Sequence, residues 1–478
     1  MTTTIACLHR NLRLCDNAIL HHAAIDVTHL VPLYLESSDE DNPWPTGSAS
    51  RWWLHHSLNA LADELRGIGS DLAVRRGPWL KTLLSIIDQT HAHRVVIEQA
   101  TEPWHQKQLA ALANTLRERD IDLHICASNL FAPPAQFTKA DGTPYRVYTP
   151  FAATLRKQFA LTPPLPAPTQ LPPLPPTLAR GELRDLALLP TKPWDAGLRN
   201  AWQPGEAGAQ RALDTFIDTT MTNYAAARDI PARPGTSRLS PHLHFGEISV
   251  RQIAWRLQGS SGQGSDMFHR ELLWREFAYH VLWHFPHTTD TPMNARFADF
   301  PWRQDHTSLL HTWQRGLTGI PIVDAGMREL WHTGSMHNRV RMITASFLTK
   351  HCRIAWQHGA RWFWDTLVDA DLASNSLNWQ WVAGCGVDAA PYFRIFNPVR
   401  QGEKFDPQGA YVRQWIPALR GLPDACVHQP WTARGGTAPE QPDYPRPILD
   451  LDYERNAALA AYRSINGPKN QTATTKGK

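Results

Sequence analysis

At 478 residues the chain is longer than one hydrophobic core usually fills, so two domains are expected. Its hydrophobic fraction of 42% is that of a folded globular protein, and no apolar run reaches the roughly 18 residues a transmembrane helix needs. The net charge of +4 is modest, so its distribution along the chain says more than its size. The N-terminal stretch MTTTIACLHRNLRL has no charged lead followed by a long apolar core, so no secretory signal is expected and the cytosol is the expected compartment. Six cysteines, Cys7, Cys15, Cys126, Cys352, Cys385 and Cys426, lie far apart without a CxxC pair. They read as reduced thiols, with no metal site expected.

In chain order, residues 1–130 alternate short apolar bursts with helix-period segments. Strands are expected at Thr4–Leu8, His29–Leu35, Asp71–Arg75, Arg94–Glu98 and Asp122–Cys126. Helices are expected at Ser48–Arg66, Trp79–Thr90 and Trp104–Arg119. Strands separated by helices imply a doubly wound parallel sheet, although no GxGxxG follows the first strand. Residues 163–176, PPLPAPTQLPPLPP, hold eight prolines and can form neither a helix nor an inner strand. Residues 131–200 are therefore read as an extended connector.

From about residue 207 the chain reads as helical. Gln210–Asn223, Ser249–Gln258, Met267–Trp283, His306–Arg315, Asp324–His332, Asn338–Trp356 and Ala360–Leu367 are the expected helices, and a polar tail follows residue 466. All of the excess positive charge lies here: residues 1–200 hold 19 Lys+Arg and 19 Asp+Glu, residues 201–478 hold 29 and 25. This is a weak pointer to a polyanionic partner. Ten of the 20 tryptophans fall between Trp274 and Trp381.

Four stretches carry candidate chemistry. Gly235-Thr-Ser-Arg-Leu-Ser-Pro241 offers hydroxyls, amides and an arginine ahead of a helix, a set that can cradle a diphosphate; an ordinary N-cap followed by proline explains the same residues. Glu271, Trp274 and Arg275 share a helix face and combine an acceptor, a stacking plane and a guanidinium, as a nucleobase site would; taken alone, an ordinary amphipathic helix with solvated charges is the better account of them. Met336-His-Asn-Arg-Val-Arg-Met342 sets Asn338, Arg339, Arg341 and Met342 at a helix start, with Arg341 a partner for Asp369 or Asp371. Finally, residues 369–397 pack Asp369, Asp371, Asn375, Asn378, Trp379 and Trp381 into one stretch. The asparagines are poor helix-interior residues, so a backbone turn is expected there, forming the wall of a pocket for a large, flat, polar-edged ligand.

Taken together, TSRLSPHLHFGEIS, LLWREFAYH, TGIPIVDAGMREL, MHNRVRMITASFL, DADLASN, NWQW and DAAPYFRIFNPVRQGEKFD resemble the photolyase/cryptochrome family of flavoproteins, over essentially the whole chain. Within that family the chain most resembles class I cyclobutane pyrimidine dimer photolyases. The resemblance implies an α/β antenna-type domain over 1–130, a Pro-rich connector over 131–200, an all-α FAD- and DNA-binding domain over 201–465 and a flexible tail over 466–478. It implies one FAD per chain, active when reduced. Tyr224, Thr236, Ser237, Arg238, Leu239 and Ser240 match the phosphate-side contacts. Asn338, Arg341, Asp369, Ala370, Asp371 and Asn375 match the flavin and ribose side. Arg228, Glu271, Trp274, Arg275, Asn338, Arg339, Met342 and Gln401 match contacts to lesion and DNA, and Trp302, Trp356 and Trp379 match the electron-relay tryptophans.

The implied activity is light-driven repair of UV-damaged DNA. Excited reduced flavin passes an electron to a flipped-out dimer, and the electron returns once the ring has split. A blue-light photoreceptor is the alternative. Asn375 favours repair, because an amide can bond flavin N5 but has no titratable proton to give it, unlike the aspartate plant-type cryptochromes tend to carry. The short C-terminal extension and the Asn-Arg after Met336-His337 point the same way. Departures from the pattern include Leu8-His9-Arg10-Asn11-Leu12-Arg13 in the N-terminal signature and Ser335 where relatives often have tryptophan. Trp104-His105 stands where folate-using relatives tend to carry Asn-Glu, which speaks against a folate antenna and leaves a deazaflavin or none. A monomer is expected.

Overall fold

The computed structural model describes residues 2–38, 42–389, 393–433 and 443–466. The expected tail lies outside them except for Asn466, as do Ala390, Pro391 and Tyr392 of the DAAPYFRIFN stretch. The described chain divides into two compact units. One comprises residues 1–289, 329–337 and 361–376, the other 290–328, 338–360 and 377–478.

The first unit opens with five strands, β1 (Thr3–Leu8), β2 (His29–Ser37), β3 (Ala73–Gly77), β4 (Arg94–Glu98) and β5 (Asp122–Cys126). All pair in parallel, in the order β3-β2-β1-β4-β5. The strand side chains alternate between two cores, as a two-residue period dictates. Ala6, Leu8, Leu30, Tyr34, Val96 and Cys126 meet helices α1 (Ala18–Ala23) and α2 (Ser48–Gly67) on one face. Ile5, Cys7, Val31, Leu33, Val95 and Ile97 meet α3 (Trp79–Thr90) and α4 (Pro103–Glu118) on the other. The order reverses at β1, so the carboxyl ends of β1 and β4 flank the crevice where such sheets bind ligands. The expected doubly wound sheet is therefore present, with β3 displaced two residues from its expected start.

The connector departs from its expected extended form. It carries a helix, α5 (Tyr148–Gln158), whose buried face is Tyr148, Phe151, Ala152 and Leu155 at helical spacing. The proline-rich part is free of helix and strand as expected, yet it is laced onto the sheet domain. Asp16 N–H donates to Leu165 O (2.8 Å), Leu171 N–H to Ile68 O (2.9 Å), and Leu30 N–H to Pro173 O (3.2 Å). Prolines lack N–H donors but keep their carbonyls, so the segment can accept from its neighbours without joining a sheet.

Helices dominate the remainder of the chain. Those used below are α6 (Ser240–Phe245), α7 (Gln263–His284), α8 (Asn338–Ser346), α9 (Trp356–Thr366), α10 (Leu372–Ala383) and α11 (Pro398–Phe405). The helix expected over Asn338–Trp356 is shorter than its pattern suggests. It passes into a π turn over Phe347–His351, and Arg353 takes a left-handed φ of 52° before α9 begins. The turn expected at Asn375 and Asn378 is absent, because α10 runs through both. Asp371 supplies what the helix start needs: its carboxylate accepts from Ser374 N–H (2.8 Å) and its carbonyl from Asn375 N–H (2.8 Å). Asn378 is exposed, where an asparagine costs a helix little.

In the first unit the loop leaving β1 is locked to the end of α6. Leu12 N–H donates to Phe245 O (3.2 Å), and the buried Arg13 guanidinium donates to Gly246 O (2.8 Å) and Asp16 O (2.6 Å). Gly246 has φ +67°, and a Cβ there would run into the Arg10 carbonyl. Gly246→Ala is expected to lower the thermal unfolding midpoint by at least about 2 °C, reflecting a loss above about 1 kcal/mol. An unchanged midpoint by calorimetry would show that the loop yields.

Candidate functional site

In the first unit, the acidic turn before α10 is held by a buried cluster of charged and polar groups. Asp371 receives the Tyr279 hydroxyl from α7, has Arg10 Nη1 at 3.7 Å, and has His244 Nδ1 at 3.6 Å, too long for a hydrogen bond. Arg10 Nη2 also meets Glu102 at 2.5 Å, and His105 Nδ1 lies 3.2 Å from the same carboxylate. Burial alone would raise the Asp371 pKa. The His244 ring and the Arg10 charge outweigh it and hold the carboxyl well below the usual range. Glu102 is likewise held low, burial being overcome chiefly by Arg10. Tyr279 moves the other way, because burial and the adjacent Asp371 charge both disfavour its phenolate. Arg10, His244 and Tyr279 were not singled out from the sequence. Arg10 does stand in the departing Leu8–Arg13 signature, which was the available signal.

Two residues earlier, the Asp369 carboxylate accepts the Ser240 hydroxyl at 2.7 Å, so the hydroxyl loop and the acidic turn meet within this unit. In that loop Thr236 is exposed, and its hydroxyl makes no hydrogen bond among the described residues; Tyr224 is the same at its hydroxyl, with its ring buried against Phe216 and Phe268. Ser237 Oγ is 3.4 Å from Leu239 N, and Leu239 is buried as an anchor. Arg238 adopts φ +56° and lays its guanidinium 3.9 Å over the Trp202 ring, donating to Ala201 O at 2.8 Å. The donor set therefore suits an anionic, hydroxyl-bearing cofactor: open hydroxyls for phosphate oxygens, and carboxylates for sugar hydroxyls or ring N–H groups. Ala370 is buried between the two aspartates. Asn375, half-buried, follows one helical turn after Asp371.

A second group lies on α7. Trp274 stacks flat on Tyr148 of α5, with centroids 3.8 Å apart and planes 6° apart. Tyr148 covers one indole face, and Trp274 remains half-exposed. Glu271 is ion-paired with Arg228, whose guanidinium also sits 5.3 Å from the Tyr224 ring. Arg275 shares the sequence spacing but points into the unit, donating to Asn129 O (2.9 Å) and Glu276 (3.2 Å). The structure thus unites Arg228, Glu271, Tyr224 and the Trp274 platform around α7, and binds Arg275 elsewhere.

The second unit carries the other candidates. Arg339 of α8 lies 4.4 Å over the Phe405 ring of α11, the helix that also carries half-buried Gln401, and its Nη1 reaches Met342 Sδ at 3.9 Å. Asn338 is exposed at the start of α8, and Arg341 and Met342 are half-buried. Trp356 and Trp379 are buried at 1% and 2% exposure, while Trp302 is half-buried against Phe300, 4.4 Å between centroids. Trp379 also meets Trp313 edge-on at 6.3 Å. Gly359 makes room for the Trp379 indole, one turn after Trp356 on α9, and any Cβ there would strike it. Trp379 is therefore seated against the turn of helix that Trp356 begins.

A parallel α/β domain together with a hydroxyl loop that meets an acidic turn suits a protein that binds a nucleotide-type cofactor. Residues 4–171 match the family described as DNA photolyase, and residues 268–464 match the FAD binding domain of DNA photolyase. The chain is 43% identical to a deoxyribodipyrimidine photo-lyase of Agrobacterium fabrum, covering 96% of this chain and 98% of that protein. It is 34% identical to Cryptochrome-2 of Arabidopsis thaliana, over 96% of this chain and 78% of that one. Among solved structures it resembles a bacterial class III photolyase from Agrobacterium tumefaciens, with a TM-score of 0.92, 41% identity and 98% of both chains covered. An archaeal photolyase from Sulfolobus tokodaii, solved with two FAD molecules, matches at a TM-score of 0.83 and 28% identity, over 97% of this chain and 100% of that one. The chain belongs to the photolyase/cryptochrome family.

Glu276, beside Arg275, is buried, and burial pushes its pKa to about 7 despite Arg275 and the Phe131 N–H at 2.9 Å. A carboxyl raised in the folded state keeps its proton while the unfolded chain has lost it. Stability should therefore fall as pH rises from about 4.5 to about 7. Glu276→Gln is expected to flatten this fall in denaturant titrations, and an identical pH profile would contradict it.

Proposed function

We propose that this protein repairs cyclobutane pyrimidine dimers in DNA, using light and bound FAD. The observation that carries the reading is the 43% identity to a deoxyribodipyrimidine photo-lyase over nearly the full length of both chains, together with Asn375 in place of a titratable residue. Blue-light reception is the second reading, favoured by the 34% identity to Cryptochrome-2 and weaker on both counts. Within the family, the 41% identity to a class III photolyase supports that subclass rather than the class I expected from motifs.

In this reading FAD supplies, when reduced and excited by light, the electron that opens the dimer. The chain binds and orients. Tyr224, Thr236, Ser237, Arg238, Leu239 and Ser240 hold the diphosphate side. Asp369, Ala370, Asp371 and Asn375 hold the ribose and ring side, and Asn338 and Arg341 are proposed as further cofactor contacts. Asn375 offers an amide to the flavin ring without a proton to transfer. Trp274, backed by Tyr148 on one face, presents its other face to a flipped-out base, and Glu271, paired with Arg228, meets the base edge. Arg339, Met342 and Gln401 are the proposed contacts to the DNA strand, and Arg275, expected among them, is turned to the Asn129 carbonyl instead. Trp379, Trp356 and Trp302 run from buried to half-exposed and would relay electrons that restore the reduced flavin. The functional division is the antenna-type domain over 1–130, the connector over 131–200 and the FAD and DNA domain over 201–465. A monomer acting on DNA in the cytosol completes the proposal, and backbone contacts make its DNA affinity salt-dependent.

Purified protein with reduced flavin is expected to restore thymines in a thymine-dimer oligonucleotide under light and not in darkness; equal yields in both contradict the proposal. Trp274→Ala should weaken dimer binding by about 1–3 kcal/mol, roughly 5- to 150-fold, with flavin content unchanged. Loss of flavin as well would place Trp274 at the cofactor. Trp379→Phe should slow photoreduction of oxidised flavin yet spare repair by pre-reduced protein, and undiminished photoreduction would mean that another route carries the electron.

A further inference from the structure

The sheet domain holds a cluster that the repair reading does not use. His22 of α1 and His124 and Cys126 of β5 bring one ligand atom each within 4.8 Å of the others. The sequence signal is faint, because His22 lies about a hundred residues before the pair and no CxxC marks it. Yet His124 and Cys126 are two apart on a strand, so both point to the same sheet face, and that is the face α1 covers. We propose that His22, His124 and Cys126 form a binding site for a zinc-type divalent ion that ties α1 to the edge strand β5.

Three observations converge. Among the described residues none of the three side chains makes a hydrogen bond or an ion pair; the contacts of the rings are with each other, His22 to His124 at 4.5 Å, and with His21 at 5.6 Å. Two imidazoles and a thiol are the donor set of a borderline-soft ion rather than of calcium or magnesium. Zinc-to-ligand lengths of about 2.0–2.3 Å put tetrahedral ligand atoms roughly 3.3–3.8 Å apart, so small side-chain adjustments close the set.

Cys126 is buried, and a bound ion would displace its thiol proton to solvent. His124 is exposed, leaving the fourth position to water. The other His–carboxylate group of this unit, His9, Glu102 and His105, is a poorer candidate, because Glu102 is already bound to the cationic Arg10.

The test loads the full-length flavin-bound protein with zinc, removes the excess by gel filtration, and measures retained metal and the zinc-edge X-ray absorption. The expected result is one zinc per chain, a first shell with one sulfur and two imidazole nitrogens, and an upward shift in the thermal midpoint. Cys126→Ser and His124→Ala should each weaken zinc affinity beyond the tenfold to hundredfold that outer-sphere changes cause, leaving flavin content and light-dependent repair unaltered. No retained zinc, a sulfur-free shell, or unchanged affinity in both variants would overturn the site. Should a variant fail to fold, the sulfur signal of the unaltered chain decides.

Discussion

Much of the first unit depends on one buried charge, the carboxylate of Asp371. It is held by a residue just after β1, Arg10, and by one from α7, Tyr279, with the His244 ring of α6 beside it. A carboxylate out of water is costly unless paired, and breaking such a cluster leaves an uncompensated charge worth about 3–5 kcal/mol. Here the pairing ties the crevice end of the sheet to three helical elements. It also sets where α10 starts, since Asp371 receives the first amides of that helix. Asn375 and the Asp369–Ser240 bond inherit their positions from that start.

Around α7 the same economy recurs with aromatic surface. Tyr148 stacks on Trp274, which stays only partly buried, while Arg228 neutralises Glu271. A stacking plane of this kind is what the proposed site for a base removed from its duplex would use, since such a base has lost its stacked neighbours. In the second unit the emphasis is on exclusion of water. Trp356 and Trp379 are buried and Gly359 is shaped around the Trp379 indole, whereas Trp302 is half-exposed.

The parallel sheet was legible because each strand is a short apolar burst and the helices after β2, β3 and β4 keep a 3.6-residue apolar period. Helix α3 and strand β4 begin and end at the expected residues. What could not be read locally was set by partners far away in sequence. Asn375 and Asn378 argue against a helix until Asp371 caps it. Tyr148 lay in a connector read as extended, because the prolines after it masked the helical spacing of Phe151 and Leu155. Arg275 fits a nucleobase face by spacing, yet its guanidinium goes to the Asn129 carbonyl. Cys126 was read only as a reduced thiol, because a search for close cysteine pairs cannot register side chains such as His22 that the fold brings beside it.

The Asp371 cluster fixes the acidic turn proposed to hold the cofactor. The most direct measurement is the flavin-to-protein ratio, by absorbance, of purified Arg10→Met and Asp371→Asn beside the unaltered chain. The account predicts that both variants lose most of their flavin, Arg10→Met through Asp371 alone, with partial recovery in Arg10→Lys. Full flavin occupancy in Arg10→Met would contradict it.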